Sequence, residues 1–246
     1  MRFALFDPHK ESLLYAITDR YGGVSEAPYD TLNLALHVGD DPKNVIENRT
    51  LLARKLGFNV QNLIYMEQVH SDRIEEIEHP FYNKISECDA LITDRENIPL
   101  MVMVADCLPL LFFDPKQKVI AVAHAGRNGT FLGIGAKVAE RMIQRYGCRA
   151  ENILVAIGPG IHSCCYEVGP EIVDIVTKSY GEKYVKKRSG KMFLDLPQMN
   201  LDQLMDAGID VENIEISTCC SCCDEAYFSY RREGTTGRFA GVMMLR

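Results

Sequence analysis

Leu100-Met101-Val102-Met103-Val104-Ala105-Asp106-Cys107-Leu108-Pro109-Leu110-Leu111-Phe112-Phe113-Asp114-Pro115-Lys116-Gln117-Lys118-Val119-Ile120-Ala121-Val122-Ala123-His124-Ala125-Gly126 decides the fold. Leu100–Val104, Leu110–Phe113 and Val119–Ala123 are short runs without a polar residue, as strands buried on both faces require. Asp114-Pro115 supplies the turn between the last two. Asp106 and Pro109 interrupt the first part, so the stretch cannot be one long helix or a membrane span. Further out, Leu13–Thr18, Leu63–Met66, Ala90–Thr93, Ile153–Ile157, Ile214–Ser217 and Phe239–Met244 also read as strands.

Helices fall between and after them. Asp41 is a natural N-cap with Pro42 at the first helical position, and Gly57 ends that helix. Leu132–Tyr146 before Gly147, Pro170–Ser179, and Gln198–Ala207 before Gly208 complete the set. The order does not repeat as strand–helix–strand. That argues for a mixed α/β (α+β) domain rather than a doubly wound parallel sheet.

A chain of 246 residues can bury a large core as one domain. Its 47% hydrophobic and 25% charged residues are those of a globular protein. A net charge of -7 argues against a nucleic-acid surface, and no apolar run approaches a membrane span. Met1–Lys10 lacks the apolar core of a signal peptide, so a cytoplasmic location is expected. The nine cysteines are then packing groups, metal ligands or reactive thiols rather than a secreted disulfide framework.

Three segments each place a zinc-type ligand beside a strand: Gln68-Val69-His70, Ala105-Asp106-Cys107 and His124-Ala125-Gly126. Thiolate sulfur and imidazole nitrogen suit Zn²⁺, and three protein ligands leave a fourth position open, as catalytic zinc requires. Each residue also has a plain structural reading. Cys107 can be a core thiol, and His70 or His124 a hydrogen-bonded turn residue. Asp106 is placed to orient a ligand imidazole or to cap a turn. Cys107 with two histidines also suits an amide hydrolase acting on cell-wall precursors, or a thiol hydrolase.

Further segments accompany these three: Thr31-Leu32-Asn33-Leu34, His37-Val38-Gly39-Asp40, Glu47-Asn48-Arg49, Asp89-Ala90-Leu91-Ile92-Thr93, Ala105–Leu110, Gly158-Pro159-Gly160-Ile161, Cys165–Gly169, Phe228–Arg232 and Thr236-Gly237-Arg238. In number and order they resemble a family known as laccase-domain or polyphenol oxidase proteins, and also as purine nucleoside phosphorylases. Its fold is shared with the catalytic domain of cytotoxic necrotizing factor. The resemblance implies one domain over residues 1–246, built of two packed mixed sheets flanked by helices. It implies a metal site of His70, Cys107 and His124, holding zinc. It implies phosphorolysis of adenosine, inosine and methylthioadenosine, with adenosine deamination as a side activity. Copper-dependent phenol oxidation is the family's other assigned activity. The six scattered histidines, however, cannot build a multicopper cluster.

Phosphorolysis calls for an anion site. Arg49, with Asn33 as a polar partner, is the expected phosphate ligand. The loop Gly126–Thr130 offers amide groups at a helix start, with Thr130 as a cap. Arg231 and Arg232 have two readings, entry into the site or surface ion pairs; Glu167 and Asp106 are candidate proton carriers. His37 and His162 are expected in structural roles. One departure stands out: the family reads His-Ala-Gly-Trp-Arg-Gly where this chain reads His124-Ala125-Gly126-Arg127-Asn128-Gly129. Finally, Cys219-Cys220-Ser221-Cys222-Cys223 contains two CxxC pairs. The reading is reduced thiols at a strand end, with Cys165 a core thiol; a second metal would need further ligands, such as Cys164 and Cys165.

Overall fold

The computed structural model describes residues 1–79 and 84–246. Its strands are β1 (Leu13–Ile17), β2 (Ile64–Met66), β3 (Ile74–Glu76), β4 (Lys84–Ile85), β5 (Ala90–Thr93), β6 (Leu100–Val104), β7 (Leu108–Asp114), β8 (Val119–Ala125), β9 (Leu154–Ile157), β10 (Val185–Arg188), β11 (Lys191–Leu194), β12 (Ile214–Ile216) and β13 (Phe239–Leu245). The helices are α1 (Pro42–Leu56), α2 (Arg127–Phe131), α3 (Ile134–Tyr146), α4 (Pro170–Ser179), α5 (Leu196–Asp206) and α6 (Tyr230–Glu233).

Two mixed sheets pack face to face, as expected. One runs β1-β13-β6-β2-β4 and the other β12-β9-β7-β8-β5-β3; β10 and β11 form a separate hairpin. Strand alternation explains the layering, because successive side chains point to opposite faces. In β7, Leu111 and Phe113 join Ile120 and Val122 of β8 between the sheets, against Leu100, Val102 and Val104 of β6 and Phe239 and Met243 of β13. The alternate residues Leu108, Leu110 and Phe112 instead meet Ile134, Val138 and Met142 of α3 and Leu204 of α5. Met101, Met103, Ala240 and Val242 form the outer face of the first sheet, under Leu34 and Leu52. The sheets approach closely at Gly241: a Cβ there would lie 3.0 Å from Leu111 Cδ2 and 3.2 Å from Val102 Cγ1.

The cap of α1 is as the sequence predicts. Asp41 accepts from the Lys43 amide, and Gly57 is left-handed at φ 81°. The helix predicted over Leu132–Tyr146 forms as α3 but begins two residues later, at Ile134. Gly133, at φ 72°, separates the short α2 from α3. Thr130 therefore lies inside α2 rather than at a cap, and its buried hydroxyl accepts from Asn200 Nδ2 at 2.9 Å. No helix among the described residues is long and apolar enough to cross a membrane.

Two chain crossings position the site. The turn Ala105-Asp106-Cys107 carries the chain from β6 in one sheet to β7 in the other. The segment after β2 crosses in the same direction to reach β3. Both crossings pass the end of β8, which carries His124.

Candidate metal centre

His70, Cys107 and His124 are brought together. Their ligand atoms all lie within 4.8 Å of one another, and Cys107 Sγ is 3.8 Å from His70 Nε2. One tetrahedral zinc with ordinary bond lengths would hold such atoms roughly 3.3 to 3.6 Å apart. Small side-chain adjustments therefore complete the geometry. The two imidazoles meet edge to face with centroids 4.7 Å apart.

The residue that organises this group is Asp89, which immediately precedes β5 and is fully buried. Its Oδ1 accepts from His124 Nδ1 at 2.8 Å and from the His70 amide at 3.0 Å. Its Oδ2 accepts from the Ser71 amide at 2.7 Å, the Ser71 hydroxyl at 2.8 Å and the Val69 amide at 3.2 Å. One carboxylate thus fixes the loop carrying His70 and the ring of His124. With the proton on Nδ1, His124 Nε2 is free to ligate. Burial works against the Asp89 charge, but the bonds from His124 and Ser71 outweigh it and hold the carboxyl down to about 2. The expected orienting residue, Asp106, does not play this part. Its carboxylate accepts from Ser221 Oγ at 2.7 Å and the Arg231 amide at 2.6 Å. Asp106 has φ 90°, a strained conformation outside glycine, and these bonds hold the sharp turn that presents Cys107.

Electrostatics prepare the thiol for a cation. Burial opposes ionisation of Cys107, but the charge and hydrogen bond of His124 and the bond from His70 bring it down to about 6. Burial likewise opposes charge on His124, while Cys107 and Asp89 raise it to about 9. Both shifts favour a thiolate–imidazolium pair in the metal-free chain, and a metal ion would take the place of the shared proton.

Gly126 supplies the space. Its backbone is extended (φ -74°), so any residue could adopt it, but a Cβ would lie 2.9 Å from both Cys107 Sγ and His70 Cδ2. Gly126→Ala is therefore expected to keep the fold and weaken metal binding by about tenfold or more, as displaced ligand shells do. Competition with a chelator, beside thermal unfolding of the metal-free protein, checks this. An unchanged affinity would mean that the ligands yield freely.

The three ligands stand in the wall of a cavity of about 380 Å³ that also includes His37, Arg127, Tyr166, Tyr230, Arg231 and Arg238. A larger groove of about 760 Å³, beside β1 and α1, gathers no comparable set of ligands. Arg127 Nε is buried without a hydrogen-bond partner. His37 is a cavity residue rather than a purely structural one. Burial and the nearby Arg238 and Arg49 lower its pKa, favouring the neutral ring. Arg231 enters the cavity wall, but Arg232 turns away to donate to the carbonyls of Ser221, Cys222 and Tyr227.

Asn33 and Arg49, expected at the phosphate, are not among the cavity residues. Arg49 is buried, donates to the Leu34 carbonyl at 2.7 and 2.9 Å, and lies 3.9 Å over the Tyr65 ring. Asn33 is fully buried, binds Asp40 Oδ2 and Ala35, and accepts from the Arg238 amide at 2.9 Å. Its link to the site is through Arg238. Glu167, a candidate proton carrier, pairs with Lys191 at 2.8 Å and does not line the cavity.

Fold and site together define a mixed α/β protein with a half-open His–Cys–His centre competent to hold a metal. The sequence model of the family described as multi-copper polyphenol oxidoreductase laccase matches residues 14–246, and the chain belongs to that family. A Corynebacterium glutamicum protein named purine nucleoside phosphorylase is 38% identical over 241 residues, 97% of each chain. The Mycobacterium tuberculosis protein of the same name is 36% identical, covering 93% of this chain and 90% of that one. The crystal structure of YlmD from Geobacillus stearothermophilus superposes with a TM-score of 0.91 at 33% identity, covering 99% of this chain and 94% of that one. The Bacillus licheniformis hypothetical protein YfiH does so at 0.90 and 34%, covering 95% and 93%.

Proposed function

We propose that the chain is a zinc-dependent purine nucleoside phosphorylase acting on adenosine, inosine and methylthioadenosine, with adenosine deamination as a side activity. The observation that carries this reading is one cavity holding both a His–Cys–His ligand set and an unpartnered buried guanidinium nitrogen, Arg127 Nε. The names of the relatives support the same reaction. His70, Cys107 and His124 would hold the ion; zinc, when bound, supplies a Lewis acid for the departing base or for water.

The chain's own residues do the rest. Arg127 and Arg238 bind phosphate, the first through the nitrogen that no protein group satisfies. Tyr166 and Tyr230 offer aromatic faces to the purine. A phosphate oxygen attacks the anomeric carbon, and the bond from that carbon to the purine nitrogen breaks. The purine leaves with the bonding electrons and takes up a proton. Copper oxidation is less well served. Multicopper centres draw on many imidazoles, and among the described residues the two candidate ligand groups contain only His70 and His124.

The test is chromatography of zinc-loaded protein incubated with each nucleoside, with and without phosphate. Free base released only with phosphate, and matched by pentose 1-phosphate, is the expected outcome. No base from any of the nucleosides would sink the reading. Within it, Arg127→Gln is expected to raise the KM for phosphate by about tenfold or more, since a hydrogen bond to a charged group contributes about 1.5–3 kcal/mol. A phosphate KM unmoved by this change would remove Arg127 from the anion site.

A further inference from the structure

A second group of sulfurs takes no part in the chemistry above. Two tight turns carry it. In one, the amides of Cys165 and Tyr166 return to the His162 carbonyl at 3.0 and 2.9 Å. In the other, the amides of Cys223 and Asp224 return to the Cys220 carbonyl at 3.1 and 3.0 Å. The turns are tied together where the Ser221 amide donates to the Gly160 carbonyl at 2.9 Å and the His162 amide approaches Cys220 Sγ at 3.4 Å. Four sulfurs, of Cys164, Cys165, Cys220 and Cys223, consequently lie within 4.8 Å of one another. Cys223 Sγ is 3.4 Å from Cys164 Sγ and 3.2 Å from Cys165 Sγ, and all four cysteines are free.

The geometry points to a second metal site, a closed tetrathiolate of Cys164, Cys165, Cys220 and Cys223 that holds a structural Zn²⁺ ion. Zinc bound by four thiolates at about 2.3 Å spaces the sulfurs roughly 3.8 Å apart, within the span seen here. A tetrahedral set of sulfurs with no carboxylate among them is a soft site that selects zinc over hard cations. Its environment agrees: the His162 amide approaches Cys220 Sγ at 3.4 Å and would stabilise a thiolate there. Sulfurs this close do not all ionise unless a cation sits between them.

Four ligands leave no open position, so this ion would position residues rather than react. Tyr166, at the end of the first turn, lines the cavity, as do Asp106 and Arg231, which bond to the two turns. Arg231 Nη1 donates to the carbonyls of Cys165 and Glu167, each at 3.1 Å. Ser221, inside the CxxC turn, bonds the Asp106 carboxylate that also receives the Arg231 amide. Tyr166 follows Cys165 directly. The ion would staple the loops that carry Tyr166 and Arg231 into the cavity.

The test is metal analysis of the purified full-length protein after expression with zinc. Two equivalents per chain are expected in the unaltered protein. One should remain in Cys107→Ala, and one in the double variant Cys220→Ser with Cys223→Ser. Because the double variant can fail to fold, the unaltered protein is also alkylated under native conditions and mapped by mass spectrometry. Cys164, Cys165, Cys220 and Cys223 should resist alkylation until a chelator is added. A single equivalent that is lost in Cys107→Ala would overturn the proposal. So would prompt alkylation of the exposed Cys164 and Cys223 in zinc-loaded protein, or a disulfide among the four. None of these outcomes depends on the nucleoside reaction.

Discussion

Asp89→Ala is expected to lower the stability of the metal-free protein by about 3–5 kcal/mol, the range for stripping one partner from a buried ionic network. The carboxylate lies out of solvent and accepts from His124, from the amides of Val69, His70 and Ser71, and from the Ser71 hydroxyl. Its removal leaves those donors without their acceptor, and the buried His124 nitrogen carries the largest desolvation cost. It also frees the His124 ring and the His70 loop, so zinc affinity falls in addition, by about 10–100-fold as for other orienting partners of metal-ligating histidines. Asp89→Asn separates the two effects. It keeps an acceptor oxygen and much of the packing, so it should fold better than the alanine variant yet still bind zinc weakly. Thermal unfolding without metal and chelator competition with metal measure the two losses. A variant that retains both stability and affinity would show that Asp89 does not organise the centre.

Cys107→Ala is expected to have the largest effect on activity. The thiolate is the one anionic member of the ligand set, and it balances the imidazolium of His124 in the metal-free chain. Two imidazoles alone should bind zinc too weakly to keep it through purification. Phosphate-dependent base release should fall by roughly a thousandfold or more, the equivalent of the several kcal/mol of charge stabilisation that a metal supplies. The fold should survive, because Cys107 sits at the rim of the inter-sheet core rather than within it. The pairing of near-complete loss of turnover with an intact unfolding transition is the diagnostic result. Full turnover by the alanine variant would remove both the metal and the thiol from the mechanism.

The contrast between Asp89 and Asn33 shows what the sequence can and cannot convey. The apolar strands β5 to β8 were legible because both of their faces are buried, so the residue pattern needs no partner to be read. The short strands β3, β4 and β10 were not. They are short and rich in charge, β3 half-buried and β10 mostly exposed, and only a neighbouring strand makes them extended. The three ligands were visible because each follows or ends a readable strand. The role of Asp89 is not legible in its segment, because its partners are 18 to 35 residues away. One signal was available: an acidic residue leading directly into a fully buried strand must be paired. Asn33 and Arg49 mislead for the opposite reason. The need for an anion site points to them as polar and cationic groups, yet here they satisfy the backbone of the Leu34 segment. Arg127 looked like a lost aromatic, and its buried, unpartnered nitrogen is a property of the folded cavity alone. The cysteine pair after residue 163 and the CxxC turn near residue 220 could be suspected as partners. Their convergence required the tie between Gly160 and Cys220.

The most direct test of the central claim is anomalous diffraction at the zinc edge from crystals of the zinc-loaded protein. A peak is expected within bonding distance of His70 Nε2, Cys107 Sγ and His124 Nε2, with His124 Nδ1 still on Asp89 and one coordination position facing the cavity. No peak at that position, with Cys107 and His124 still paired to each other, would contradict it.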